Sequence, residues 1–171
     1  MLFVALSPVQ MVSAQSRNDV KKSTDIVMLL PGAIGVAAAI VEKDSKGLLQ
    51  LVESEAASVA VTYLLKYTVE KERPDRSDMH SFPSNHVGIA ISGATFLQRR
   101  YGWKLGVPAY ALSTYVAWGR VYAKRHDVWD VLAGTAIGIG SALVFTRPFA
   151  EKKNIVVAPM AWPDGVALCL R

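Results

Sequence analysis

Five apolar stretches, at 25–41, 48–66, 86–98, 105–119 and 128–145, alternate along the chain with polar, charged connections. Each is long enough for roughly three to five helical turns. In the first, DIVMLLPGAIGVAAAIV, Pro31 is expected to kink the helix. The second carries Glu53 and Glu55 in its first turns, a favourable place for the helix dipole and a poor one for lipid. It therefore reads as amphipathic, with its polar start in water or at an interface. The third is rich in small residues; Gly88, Ala90 and Gly93 permit close packing. The fourth has Pro108 near its start. Short connections make such helices run alternately up and down. The expected fold is all-α: a bundle of about five main helices.

The polar stretches divide the rest. Residues 15–24, QSRNDVKKST, read as a linker, with Ser23 or Thr24 placed to cap the first helix. The longest connection, 67–85, contains the extended dipeptides Arg73-Pro74 and Phe82-Pro83. A connection of that length in a small domain is either functional or disordered. Residues 1–14 are apolar and end in Val12-Ser13-Ala14, which fits the remnant of a secretory signal, although the run is short and lacks basic residues at its start. The competing reading is a plain N-terminal tail. In the C-terminal tail, 149–171, two β-prone runs flank Pro163-Asp164-Gly165. They fit a small β-hairpin or an unstructured tail equally well. The domain itself is assigned to 15–148.

Composition narrows the class. Hydrophobic residues make up 51% of the chain and the mean hydropathy is +0.26. That is high for a soluble enzyme and low for a membrane protein with long spans. The first apolar stretch falls just short of the roughly 20 residues a bilayer span needs. A formal charge of +5 and a pI near 9.4 suit anionic partners. No nucleic-acid-binding module is visible. Cys169 is alone, which excludes an intrachain disulfide and a cysteine metal cluster.

Up-and-down alternation has a chemical consequence. It gathers Lys66, Arg73, Ser84, His86, Arg120, His126 and Asp130 at one end of the bundle. His126 and Asp130, four apart, share a helix face. A carboxylate there can hold one imidazole nitrogen and free the other. Lys66, Arg73 and Arg120 supply three cations, which suits a dianionic phosphate. Ser84 and Asn85 open a helix whose free N–H groups favour anions. His86 is placed to protonate a leaving oxygen and His126 to attack phosphorus. Each residue alone has an ordinary reading: Lys66 a helix cap, Arg73 a loop charge, His86 a capping residue, His126 and Asp130 a solvated pair. Convergence of all seven argues against that. No cluster has metal-ligand spacing, so neither metal nor cofactor is expected. His80 and Asp78 share the long loop without an assigned partner.

These residues resemble the signature of the type 2 phosphatidic acid phosphatase superfamily, which also includes vanadium-dependent haloperoxidases. The motif K-x6-R-P is matched by Lys66 to Arg73-Pro74. P-S-G-H corresponds to Pro83-Ser84-Asn85-His86, and S-R-x5-H-x3-D to Gly119-Arg120, His126 and Asp130. The blocks are in the family's order and cover about 66–130. Asn85 departs from a glycine whose N–H meets phosphate, and Gly119 departs from a serine. The resemblance implies a helical bundle with His126 as nucleophile forming a phosphohistidine. Asp130 then orients it, and His86 is first acid, then base. Lys66, Arg73, Ser84, Asn85 and Arg120 hold the phosphate, without metal.

The resulting expectation is a phosphatase acting on lipid or isoprenoid phosphates or pyrophosphates in a bacterial cell envelope, associated with the membrane. The alternatives are a soluble periplasmic acid phosphatase acting on small phosphate esters, a vanadate-dependent haloperoxidase and a non-catalytic phosphate-binding membrane protein. The end away from the site carries Lys43, Lys46, Arg99, Arg100, Lys104, Arg147, Lys152 and Lys153. If the helices span, that end faces the cytoplasm and the site faces the periplasm. The sequence fixes neither the physiological substrate nor the oligomeric state.

Overall fold

A computed structural model describes residues 8–149 and the segments 158–162 and 165–169, with side chains from 15 to 149. Among the described residues six helices are present: α1 (Pro8–Val27), α2 (Leu30–Val41), α3 (Ser45–Thr68), α4 (Asn85–Tyr101), α5 (Trp103–Tyr122) and α6 (Val128–Phe145). The last five are the expected apolar helices. Beyond them, Ala158–Trp162 and Gly165–Cys169 run as two short antiparallel strands, β1 and β2. The fold class rests on the helices alone. Residues 1–7, within the expected signal remnant, and Pro163 and Asp164 of the expected turn lie outside the described residues.

Two sequence expectations need correction. The stretch 15–24 is not a linker but the body of α1. Ser23 and Thr24 donate their hydroxyls to Val20 and Lys21 carbonyls inside that helix instead of capping the next one. Thr24 is buried against α5, where Gly119 leaves room for its methyl group. The stretch reads as polar because only the small apolar groups of Val20 and Thr24 meet α5 at Gly119. The chain then turns at Met28–Leu29, and Pro31 sits in the first turn of α2. There its missing N–H costs nothing, so proline starts a helix where a kink was expected.

Helix α4 is the centre of the bundle, packed on α2, α3, α5 and α6. Almost every residue from Val87 to Leu97 is buried, which small side chains permit. Close approach of α6 depends on glycine. A Cβ at Gly134 would lie 2.5 Å from the Ser84 carbonyl oxygen, and one at Gly138 would lie 2.5 Å from that of Gly88. The first turns of α4 and α6 are thereby pressed together, and the Ser84 N–H donates to the Asp130 carbonyl at 3.0 Å. At the opposite end Gly102 takes φ +91°, a left-handed value suited to glycine, and turns α4 directly into α5. Asp44 caps α3 there and receives two guanidinium bonds of 2.6 Å from Arg100.

The bundle mixes in its interior an apolar core around Phe96, Leu97, Val87 and Val116 with the hydroxyls of Ser54, Ser58, Thr62, Ser92, Thr95 and Ser113. Its outer surface exposes Ile40, Val52, Leu64, Val107, Leu132 and Val144. Small and hydroxyl-bearing residues between helices, with large apolar ones outside, are the arrangement lipid favours. Three helical segments, Gln15–Val41, Ser45–Thr68 and Val128–Phe145, are long and apolar enough to cross a membrane. The first of these gains its length from α1, which sequence reading had set aside.

Candidate active site

The loop between α3 and α4 folds back on itself before it reaches the site. Lys71 N–H donates to the Met79 carbonyl and Ser81 N–H to the Lys71 carbonyl, at 3.0 and 2.9 Å. Lys66, in the last turn of α3, reaches under this loop to the carbonyls of His80 (2.7 Å) and Pro83 (3.1 Å). Arg73 is fixed from three sides. Its Nε donates to Asp78 at 2.6 Å, and one terminal nitrogen donates to the Arg125 carbonyl at 3.2 Å. That same nitrogen lies 3.5 Å from His126 Nε2. Against the upward push of partial burial, Arg73 holds the Asp78 carboxyl below its ordinary range.

His126 is buried in the turn between α5 and α6. Its Nδ1 lies 2.8 Å from the Ser81 carbonyl oxygen. A carbonyl only accepts, so the proton is on Nδ1 and Nε2 carries the lone pair. Asp130 Oδ2 lies farther from Nδ1, at 3.6 Å. Asp130 is itself held by a capping box with Asp127, by the Ser81 hydroxyl and by Lys71 at 2.7 Å. Burial lowers the His126 pKa; Asp130 pulls it back, and Arg73 and Lys66 push it further down. The imidazole is therefore neutral at pH 7, with a free nitrogen beside a guanidinium. Lys71 is the opposite case: burial works against its charge, but the bonds to Asp127 and Asp130 raise its pKa.

Across the site, Ser84 is the N-cap residue of α4, and Asn85 and His86 lie in its first turn. Arg120, 2% exposed, projects from the last turn of α5. Among the described residues, Ser84 Oγ, Asn85 Oδ1 and Arg120 Nε are buried without hydrogen-bond partners. A hydroxyl and a guanidinium N–H left unpaired beside a helix N-terminus form a set of donors for an anion. Asp25, on α1, joins this side: its carboxylate pairs with Arg120 and lies 3.0 Å from His86 Nε2. Burial and Arg120 hold the His86 pKa well below the ordinary imidazole value, against the pull of Asp25. No group of three or more His, Cys, Asp or Glu able to hold a metal occurs among the described residues.

A family model matches residues 47–153, and its description is the PAP2 superfamily. The chain belongs to the PAP2 superfamily. It is a PAP2-type phosphatase, and its similar proteins carry phosphatase names. It is 31% identical over 140 residues to the lipid A 4'-phosphatase of Helicobacter pylori, covering 75% of this chain and 70% of that one. It is 26% identical over 128 residues to a lipid A 1-phosphatase of the same species, covering 70% and 67%. Two crystal structures share the fold. The transmembrane PAP2 type phosphatidylglycerolphosphate phosphatase of Bacillus subtilis superposes with a TM-score of 0.60 at 23% identity, over 83% of this chain and 77% of that one. Aquifex aeolicus LpxE gives 0.56 at 16%, over 84% and 98%.

Within the PAP2 signature, the eight residues named from sequence all lie at this end of the bundle. Three that sequence reasoning missed, Asp25, Lys71 and Ser81, complete the surroundings, together with Asp78, which had no assigned partner in the sequence and finds one in Arg73. Lys71, Asp78 and Ser81 were within reach, since they occupy the loop that joins the first two motifs. Asp25 carried no signal, because α1 lies outside every motif. Both departures from the PAP2 pattern acquire a physical context. Asn85 contributes a buried, unpaired side-chain oxygen. A side chain at Gly119 would have its Cβ 2.5 Å from the Thr24 methyl, so glycine lets α1 lie against α5.

Proposed function

We propose that this protein removes phosphate from a membrane lipid by two steps through His126. The observation that carries the reading is the unpaired donor set of Ser84 and Arg120, next to a neutral His126, at the mouth of a bundle with an apolar exterior. The phosphate of a monoester binds Lys66, Arg73, Arg120, the Ser84 hydroxyl and the N–H groups at the start of α4. His126 Nε2 attacks phosphorus while the bond to the leaving oxygen breaks, and His86 gives that oxygen its proton. Asp130 and the Ser81 carbonyl stabilise the charge that develops on the His126 ring. Water then attacks phosphorus, its proton passes to His86, the P–N bond breaks and inorganic phosphate leaves. Chemistry of this kind draws on the chain's own residues alone.

Lipid substrates are favoured over soluble esters by the apolar exterior of the bundle, which disfavours the soluble periplasmic alternative. The names of the relatives point the same way and make lipid A phosphates the first class to try, ahead of isoprenoid pyrophosphates. The basic residues at the far end, Lys43, Lys46, Lys104 and Arg147, support a reading in which that end faces the cytoplasm and the site faces the periplasm. In the tail, β1 and β2 are read as a hairpin appended to this domain.

Phosphate release from the purified protein in mixed vesicles tests the substrate class. Lipid A, phosphatidic acid and an isoprenyl pyrophosphate should be cleaved at kcat/KM at least about tenfold above glycerol phosphate and p-nitrophenyl phosphate, with chelator present throughout. Preference for the soluble esters would contradict the lipid assignment.

A further inference from the structure

The end of α1 reaches the site through a contact that depends on one departure from the family motif. Thr24 packs on Gly119, where the motif has serine, and any side chain at 119 would strike it. The next residue, Asp25, is thereby set between two residues of the proposed machinery. One carboxylate oxygen, Oδ1, serves both: it pairs with Arg120 and lies 3.0 Å from His86 Nε2. The charged and titratable groups around His86 are Arg120 on α5, His126 ahead of α6 and Asp25 on α1; Lys21, one turn before Asp25, acts on Asp25. Asp25 is the one anion in that set. Arg120 has Arg73 and Arg125 as its other charged neighbours, so its compensation also comes from Asp25.

We propose that Asp25 is a positioning residue that orients His86 as the acid–base and ties it to the phosphate-binding Arg120, making α1 part of the active site. The bond at Nε2 fixes one proton there and leaves Nδ1 to exchange the other with substrate. In the first step Nδ1–H passes to the leaving oxygen as the P–O bond breaks. In the second, Nδ1 takes a proton from the attacking water. Asp25 gains and loses none; it stabilises the imidazolium that precedes the first step and is regenerated by the second. This rests on the roles given above to His86 and His126.

The test separates acid help from general integrity. Single-turnover cleavage at saturating substrate is measured with an alkyl phosphate, whose leaving group needs a proton, and with p-nitrophenyl phosphate, whose leaving group does not. D25N should slow the alkyl ester by about tenfold or more, part of the usual worth of acid assistance, and leave the p-nitrophenol burst within about threefold. The limb of the pH profile that requires protonated His86 should move to lower pH, and D25E should recover part of the alkyl rate. G119S, which pushes Thr24 away without touching either charge, should reproduce the D25N pattern. In the wild-type protein, nitrogen-15 NMR should find the proton of neutral His86 on Nε2. Equal slowing of both substrates, faster turnover in D25N (the mark of a carboxylate that merely plugs the site), or a neutral His86 protonated on Nδ1 would overturn the proposal. H86A run in parallel keeps the two readings apart. If H86A turns over normally, the two-histidine reading fails; if H86A is impaired while D25N and G119S match wild type, only the role of Asp25 fails.

Discussion

His126 owes its tautomer to a backbone carbonyl, and that has a measurable consequence. With Nδ1–H directed at Ser81, the attacking nitrogen is Nε2. Burial, with Arg73 and Lys66, keeps the ring neutral below the ordinary imidazole value of roughly 6.5. Attack requires the neutral ring, and a lowered pKa extends the neutral fraction to more acid pH. The acid limb of kcat/KM should therefore fall clearly below pH 6.5, and the limb that follows loss of the His86 proton should lie on the acid side as well, because burial holds that imidazole low. An acid limb at or above 6.5 would contradict the environment described. Arg120 and Asn85 give a paired expectation. R120K should lose about 10- to 100-fold in kcat/KM, since an ammonium cannot reproduce a buried guanidinium fork. N85G should keep activity within a few fold, because it removes a side-chain oxygen without a partner and leaves the backbone N–H. Similar rates for R120K and wild type, with N85G inactive, would reverse the assignment of the anion site. At this scale the motif residues were legible, since each has a chemical type that phosphate demands. The supports were not. The Ser81 carbonyl has no side-chain signature, and the partners of Lys71 lie more than fifty residues away.

The juxtaposition of two helix starts is what assembles the site, and glycine on α6 permits it. G134A would place a methyl group 2.5 Å from the Ser84 carbonyl oxygen, which is backbone and has little room to yield. Overpacking of this kind typically costs about 1–3 kcal/mol. The variant should melt several degrees lower, and its kcat should fall further than that of G140A, whose Cβ meets nothing within 4 Å. Equal behaviour of the two variants would mean that the α4–α6 approach does not set the geometry of Ser84. The five apolar helices were readable from periodicity and from the up-and-down rule. Helix α1 was not, for a physical reason: among its described residues only Thr24 is buried, and an exposed hydroxyl contact of Ser23 with Tyr115 adds to it. Hydrophobic patterning is blind to a helix that packs in this way. The break at Met28–Leu29 was obscured in turn, because an apolar run across a helix boundary looks continuous.

On the scale of the molecule, chemistry and volume point to opposite ends. A cleft of about 770 Å³ opens at the far end, lined by Asp44, Arg100 and Phe149 among others. Its buried charges are already satisfied: Arg100 forks onto Asp44, and Tyr101 adds a third bond at 3.0 Å. The proposed site is marked instead by its unpaired donors. The sequence measures of hydropathy lay between the soluble and membrane classes because hydroxyls share the interior with a modest apolar core while large apolar side chains cover the outside.

The central claim is that phosphate passes through His126 with His86 acting in both steps. It is tested most directly by rapid mixing of the H86A variant with p-nitrophenyl phosphate, followed by intact-mass measurement after a neutral or basic quench. p-Nitrophenolate leaves with little acid help, but hydrolysis of the phosphohistidine still needs the base, whose loss is worth about 10²–10⁴-fold. H86A should release one equivalent of p-nitrophenol and then stall, with one phosphoryl group added to the protein; H126A should show neither burst nor label. Normal turnover by H86A, or equal labelling of H126A, would contradict the account.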